Sequence, residues 1–194
     1  MKNSSKGSLE VVCGSMFSGK SEELIRRLVR AKLAKKNILV FKHSLDERTL
    51  IEYVVSHNGN KIKAIPLDNP ETLQNLVTDD IEVIGIDEVQ FFSVGIVNVI
   101  CKLIDQGKRI VVAGLDLDFR QVPFGPMPLL LAIADSITKL KAICMACGKD
   151  AHFTQRLVDE KPAKFNDPII MVGAEEKYQA RCRNCYKIDK QPLF

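Results

Sequence analysis

Eight residues near the start of the chain have the types and order needed to hold phosphate. Gly14-Ser15-Met16-Phe17-Ser18-Gly19-Lys20-Ser21 fits the pattern G-x-x-x-x-G-K-[ST], with an apolar run before it and a helical pattern after it. Glycines let successive backbone N–H groups turn inward around phosphate oxygens, and a helix starting at the end of the loop adds a favourable partial charge. In such a loop Lys20 reaches the β- and γ-phosphates and the Ser21 hydroxyl ligates Mg²⁺. Without nucleotide, Lys20 is expected to face water. A Gly-containing turn that binds nothing is the competing reading, and the flanking strand and helix argue against it.

Val83-Ile84-Gly85-Ile86-Asp87-Glu88 is a second chemical signal, an apolar strand ending in two adjacent carboxylates. Beside a phosphate loop, an Asp in this place holds Mg²⁺, usually through water. Glu88 is then well placed to act as a base. Adjacent carboxylates repel, which tends to raise at least one pKa, while Mg²⁺ opposes that rise. Alone, the pair reads equally well as a solvated acidic turn. ATP hydrolases also place a Glu here to activate water, so the pair leaves kinase and ATPase both open.

Cys144-Met145-Ala146-Cys147 and Cys182-Arg183-Asn184-Cys185 are separated by 34 residues. Two such knuckles supply four thiolates, which complete tetrahedral Zn²⁺ and leave no open position for catalysis. The expected site is therefore structural, and it pins together both ends of a long intervening loop. Redox-active pairs are the alternative. Cys13 and Cys101 sit in apolar runs and are expected in the core.

The elements that position these residues follow from periodicity. Leu9 to Val12, Ile38 to Phe41, Ile81 to Ile86 and Arg109 to Gly114 read as buried strands, and Ile137 to Ile143 as a further one. Lys20 to Lys35 reads as a helix with Leu24, Leu28 and Ala31 on one stripe and the pairs Glu22–Arg26 and Glu23–Arg27 on the surface. Asn69-Pro70-Glu71 marks a helix start. Ser93 is expected to cap a helix that carries Ile96, Val97, Ile100, Leu103 and Ile104 on one face and stops near Gly107. A short helix spans Leu129 to Ala134. The alternation predicts a doubly wound α/β domain over residues 1–143, followed by a smaller zinc-knuckle domain over 144–194.

The chain has 194 residues with a formal net charge of +4, and its basic residues form no long run. That balance suits a protein that binds neither nucleic acid nor membrane. No apolar stretch approaches the ~20 residues of a membrane span. The polar start lacks a signal-peptide pattern, so a cytoplasmic location is expected. His43, His57 and His152 form no cluster and are expected in loops or on the surface.

Taken in order, the phosphate loop, Asp87-Glu88-Val89-Gln90-Phe91-Phe92, Pro123-Phe124-Gly125, the two cysteine pairs and Lys177-Tyr178 resemble the zinc-bearing, homotetrameric (type II) thymidine kinases. The likeness covers residues 9 to 186. Ser15 departs from it, standing where many relatives have Pro, and so does Glu47, where Thr or Asn is common.

The resemblance implies a RecA-like sheet with ATP and Mg²⁺ at residues 14–21. Asp46, Asp87 and Gln90 would join the ATP and Mg²⁺ contacts, and Arg48 would contact phosphate. Glu88 matches the base that takes the proton from the nucleoside 5′-hydroxyl. Phe91, Leu115 and Phe119 match the walls of the thymine pocket, with Met16 near the methyl group. The loop between the knuckles would be a lasso covering the nucleoside, with contacts at Thr154, at Ile169, Ile170, Met171, Val172 and Gly173, and at Tyr178. A homotetramer acting on thymidine and inhibited by dTTP is implied. The competing classes are a RecA-like ATPase acting on nucleic acid and a zinc-ribbon nucleic-acid binder. The former needs an arginine finger and DNA-binding loops. The intact Lys20, Ser21, Asp87 and Glu88 argue against the latter.

Overall fold

The computed structural model describes residues 6–45, 52–56, 58–169 and 177–190. The α/β part runs β1 (Ser8–Cys13), α1 (Lys20–Leu33), β2 (Ile38–His43), β3 (Tyr53–Val55), β4 (Lys61–Lys63), β5 (Ile65–Leu67), α2 (Pro70–Leu76), β6 (Val83–Asp87), α3 (Gly95–Asp105), β7 (Arg109–Gly114), α4 (Met127–Ile133) and β8 (Ser136–Lys139). Six of these strands form one sheet in the order β5-β2-β6-β7-β1-β8, and every pairing in it is parallel. This is the RecA-like parallel sheet that the resemblance implies.

Side-chain alternation divides the core between the two faces of the sheet. Val11, Ile84, Ile86, Ile110 and Val112 pack with Ile96, Ile100 and Leu103 of α3. Val12, Val40, Val83, Val111 and Ala113 pack with Leu24, Ile25, Leu28 and Ala31 of α1. Strands buried on both faces must be nearly continuous in apolar residues, as β6 and β7 are. Gly85 has a packing reason: a Cβ there would lie 2.5 Å from a Leu28 methyl, so its absence lets α1 seat on β6.

Helix ends follow local chemistry. Asn69 caps α2, its side chain accepting from the Glu71 amide at 2.9 Å. Ser93 does not cap α3. Its carbonyl starts a turn with the Ile96 amide, Val94 takes the cap position, and no side chain bonds there. The helix ends before Gly107, which adopts φ 84°. On α1 the Glu23–Arg27 pair forms, while Arg26 turns to Glu23 rather than Glu22, which bonds Asn58 instead.

Other expectations shift. The run from Ile137 to Ile143 is broken after Lys139, giving edge strand β8 and a separate β9 (Ala142–Ile143). Cys13 is buried as expected, but Cys101 is on the exposed side of α3. His43 is buried at the end of β2 rather than lying in a surface loop. His57 lies outside the described residues. The chain continues through β10 (Asp150–Ala151), β11 (Phe153–Val158), β12 (Lys161–Pro162) and β13 (Lys177–Arg181). Here β11 is central and antiparallel to both β12 and β13, and β9 pairs with β10.

Candidate active site

The carboxyl ends of β1, β2, β6 and β7 lie along one edge of the sheet, where ligands of such folds bind. The loop leaving β1 crosses to α1 with Gly14 at φ 143°, Phe17 at 66° and Gly19 at 85°. A Cβ on Gly14 would lie 2.5 Å from the Leu140 carbonyl oxygen, so no larger residue fits that turn. Gly19 is the N-cap of α1 and supplies no side-chain cap, which leaves the first amides of the helix available to an anion. The Ser15 and Ser18 hydroxyls are buried with no hydrogen-bond partner among the described residues. Contrary to expectation, Lys20 is itself buried, with its ammonium donating to the Ser15 carbonyl at 2.8 Å.

Ser21 donates its hydroxyl proton to the Asp87 carboxylate at 2.9 Å, which ties the start of α1 to the end of β6. Both oxygens are hard donors of the kind Mg²⁺ takes. Glu88 follows at φ 50°, ψ 40°, a left-handed conformation that side chains rarely adopt. It is buried, as is Gln90, whose amide donates to the Glu88 carboxylate and accepts from the Leu115 amide at 3.0 Å. Both ends of Gln90 are thereby used to fix Glu88 against the loop after β7. The glycines around it keep that space open: a Cβ on Gly125 would lie 2.1 Å from the Gln90 carbonyl oxygen, and one on Gly114 2.7 Å from its side-chain oxygen.

Two residues that the sequence reading left unused meet this edge. Lys42 is fully buried and paired in register with Asp87 across β2 and β6, which sets a cation on the same face of the sheet. His43 stands edge-on to Phe92 at 4.7 Å and accepts from the Leu45 amide through Nδ1 at 3.1 Å. Burial pushes its imidazole below the usual range, with Asp68 opposing, so a neutral ring is favoured at neutral pH. A signal for both existed in the sequence, a Lys-His pair closing an apolar strand. Its meaning depends on register against a strand some forty residues away.

β11 joins the phosphate loop to the C-terminal part. The Thr154 hydroxyl accepts from the Met16 amide at 3.0 Å. Phe91 meets Phe124 edge-on at 5.6 Å, and Phe119 is buried beneath the Arg156 guanidinium at 5.2 Å. Leu115 and Tyr178 are half-buried, Tyr178 pairing with Arg156 between β13 and β11, while Ile169 is exposed. Asp46, Arg48, Ile170, Met171, Val172 and Gly173 lie outside the described residues.

The sulfur atoms of Cys144, Cys147, Cys182 and Cys185 all lie within 4.8 Å of one another, with Cys147 and Cys182 at 3.6 Å. Thiolates about 2.3 Å from a tetrahedral Zn²⁺ stand about 3.8 Å apart, so the donor set fits that ion. The two knuckles repeat one geometry. The Cys147 and Gly148 amides donate to the Cys144 carbonyl, and the Cys185 and Tyr186 amides to that of Cys182. Burial opposes ionisation of Cys144, but the amides of Cys182, Ala146 and Cys147 prevail and bring it down to about 6. Hydrogen bonds with the Cys147 and Cys182 thiols push Cys185 up to about 12.

A phosphate-type loop on a parallel sheet, with paired carboxylates at a neighbouring strand end and a four-cysteine cluster, defines a nucleotide-binding α/β protein with a metal-binding appendage. A family model described as thymidine kinase matches residues 7–186. The chain belongs to the thymidine kinase family, and its cysteine cluster fits the zinc-binding type. Membership makes it a kinase, implies ATP use and makes thymidine the implied substrate. Among the described residues, no helix is long and apolar enough to cross a membrane.

Proposed function

We propose that the chain transfers the γ-phosphate of ATP to the 5′-hydroxyl of thymidine, giving dTMP. The observation that carries this reading is the bond from Ser21 to Asp87, which sets the phosphate loop directly beside Glu88. Loop amides, the N-terminus of α1 and Lys20 would hold the phosphates, with Gly14, Ser15, Met16, Phe17, Ser18 and Gly19 shaping the cradle. Ser21, Asp87 and Asp46 are the residues that would hold Mg²⁺, and Arg48 would contact phosphate. When bound, Mg²⁺ would neutralise charge developing on the transferred group.

Glu88 would accept the proton of the 5′-hydroxyl, which is a poor nucleophile until that proton has somewhere to go. Gln90 keeps its carboxylate in place. Phe91, Leu115 and Phe119 would wall the base, Met16 of the phosphate loop would sit near its methyl group, Thr154 would contact the nucleoside, and Ile169 to Gly173 with Tyr178 would close over it. A lid of this kind excludes water from phosphoryl transfer. The proposal extends to two domains at residues 1–143 and 144–194 and a cytoplasmic location, and, from the family type, to a homotetramer inhibited by dTTP occupying both subsites.

Glu88→Gln tests the reading. The shape is kept and the proton acceptor is lost, so turnover is expected to fall about 10²–10⁴-fold with little change in thymidine or ATP affinity. Loss of ATP binding with turnover retained at saturation would make Glu88 a nucleotide ligand and overturn the mechanism.

A further inference from the structure

We propose that Tyr186 is a positioning residue for nucleoside recognition, carrying the fixed geometry of the four-cysteine cluster to the wall of the base pocket at Phe119. The inference rests on the nucleoside site proposed above.

Tyr186 is held at three points. Its amide donates to the Cys182 carbonyl at 3.0 Å, so its backbone belongs to the second knuckle. Its ring leans on Phe153 of β11 at 5.5 Å. Its hydroxyl donates to the carbonyl oxygen of Phe119, 67 residues away in the chain. The next residue repeats the attachment, the Lys187 amide donating to the Gln155 side chain at 2.8 Å. The segment leaving the cluster is therefore clamped to the strand that also carries Thr154.

What the hydroxyl grips is a self-contained turn. Within it the Asp118 carboxylate accepts from the Arg120 and Val122 amides at 2.8 and 3.1 Å, and the Asp118 amide donates to the Val122 carbonyl at 2.9 Å. The Arg120 side chain closes on the same carboxylate at 2.6 Å. A turn tied internally in this way moves as a unit, and Tyr186 anchors that unit to the C-terminal part. On its other side, the Phe119 ring lies under Arg156, whose guanidinium also donates to the Pro168 carbonyl. Pro168 stands immediately before the stretch from Ile169 to Gly173. Cluster, pocket wall and the start of the covering loop thus lie on one continuous chain of contacts.

Removing the hydroxyl should let the Phe119 turn drift while its internal bonds keep it folded. The phosphate loop and Glu88 are held by other contacts, so the effect should fall on nucleoside binding alone. In Tyr186→Phe, holding one zinc per chain, the KM for thymidine is expected to rise roughly 5- to 10-fold, as for a lost buried hydrogen bond. Thymidine Kd by calorimetry should rise in parallel, with kcat and the ATP KM within twofold of wild type. An unchanged thymidine KM and Kd would overturn the proposal. So would loss of zinc, or a joint decline of kcat and both KM values, since the hydroxyl would then serve the fold in general. A wild-type protein that phosphorylates no nucleoside would instead defeat the proposed function, and this inference with it.

Discussion

Lys20 rests its ammonium on the Ser15 carbonyl at the mouth of a cradle lined by buried Ser15 and Ser18 hydroxyls. Phosphate oxygens offer that cation stronger, charge-assisted bonds, so nucleotide should draw it off the carbonyl. Lys20→Ala is expected to reduce phosphoryl transfer by about 10²-fold or more, because the transition state loses a positive charge its oxygens need. Losing the Lys20–Ser15 bond should lower its melting temperature by a few degrees without unfolding it. Near wild-type turnover would remove this loop from the reaction. Lys20, Ser21, Asp87 and Glu88 were legible in the sequence because their meaning is local, a fixed spacing or a strand end. Lys42 and the bridging of Glu88 to Leu115 by Gln90 were not, since both depend on how separate strands register. The burial of Lys20 was misread because its ammonium folds back on the Ser15 carbonyl of its own loop, which the order of residue types does not reveal.

At the scale of elements, α1 both presents the loop and carries its own charge pattern. Glu22 and Glu23 lie in its first turn and Arg30 and Lys32 in its last, each favourable to the helix dipole. Hydrogen bonds from Arg26 and then Arg27, outweighing partial burial, draw the Glu23 carboxyl down to about 2 from 4.5. A depressed carboxylate stabilises the fold above its unfolded pKa and loses that contribution as pH falls through the folded value. Glu23→Gln should therefore melt on the order of 2 °C lower at pH 7. The gap should close between pH 4.5 and about 2, as thermal melts of both proteins across that range would read. A gap that persisted at pH 2 would mean the side chain acts through packing. The helix, β6 and β7 were readable because long apolar periodicity dominates them. Strands β3 to β5 were not, being three residues each, with exposed Lys61 and Lys63 in β4 and Pro66 in β5. Pro66 is tolerated because β5 is the sheet edge.

For the whole molecule, the two cysteine pairs set how the C-terminal part closes on the sheet. Cys144 and Cys182 sit in a small buried cluster with Ala142, Ala151 and Ala180, too few apolar residues to hold that part without further help. Metal analysis is expected to return about one Zn²⁺ per chain. Cys147→Ser should lower zinc occupancy and weaken thymidine binding more than ATP binding. Purified protein with no zinc and all four thiols oxidised would contradict this. The cluster itself was legible from spacing alone, whereas its connection to the pocket through Tyr186 and Phe119 spans 67 residues and appears only once the chain has folded. On the proposed mechanism, phosphate passes from ATP to thymidine at the edge where the loop meets Glu88. Its most direct test is a panel of nucleosides and single-stranded DNA, each incubated with ATP and Mg²⁺, with products resolved and ATP consumption followed. In the thymidine reaction dTMP should form in step with ADP, and DNA should not stimulate ATP consumption. ATP consumption stimulated by DNA, with no nucleoside phosphorylated, would contradict it.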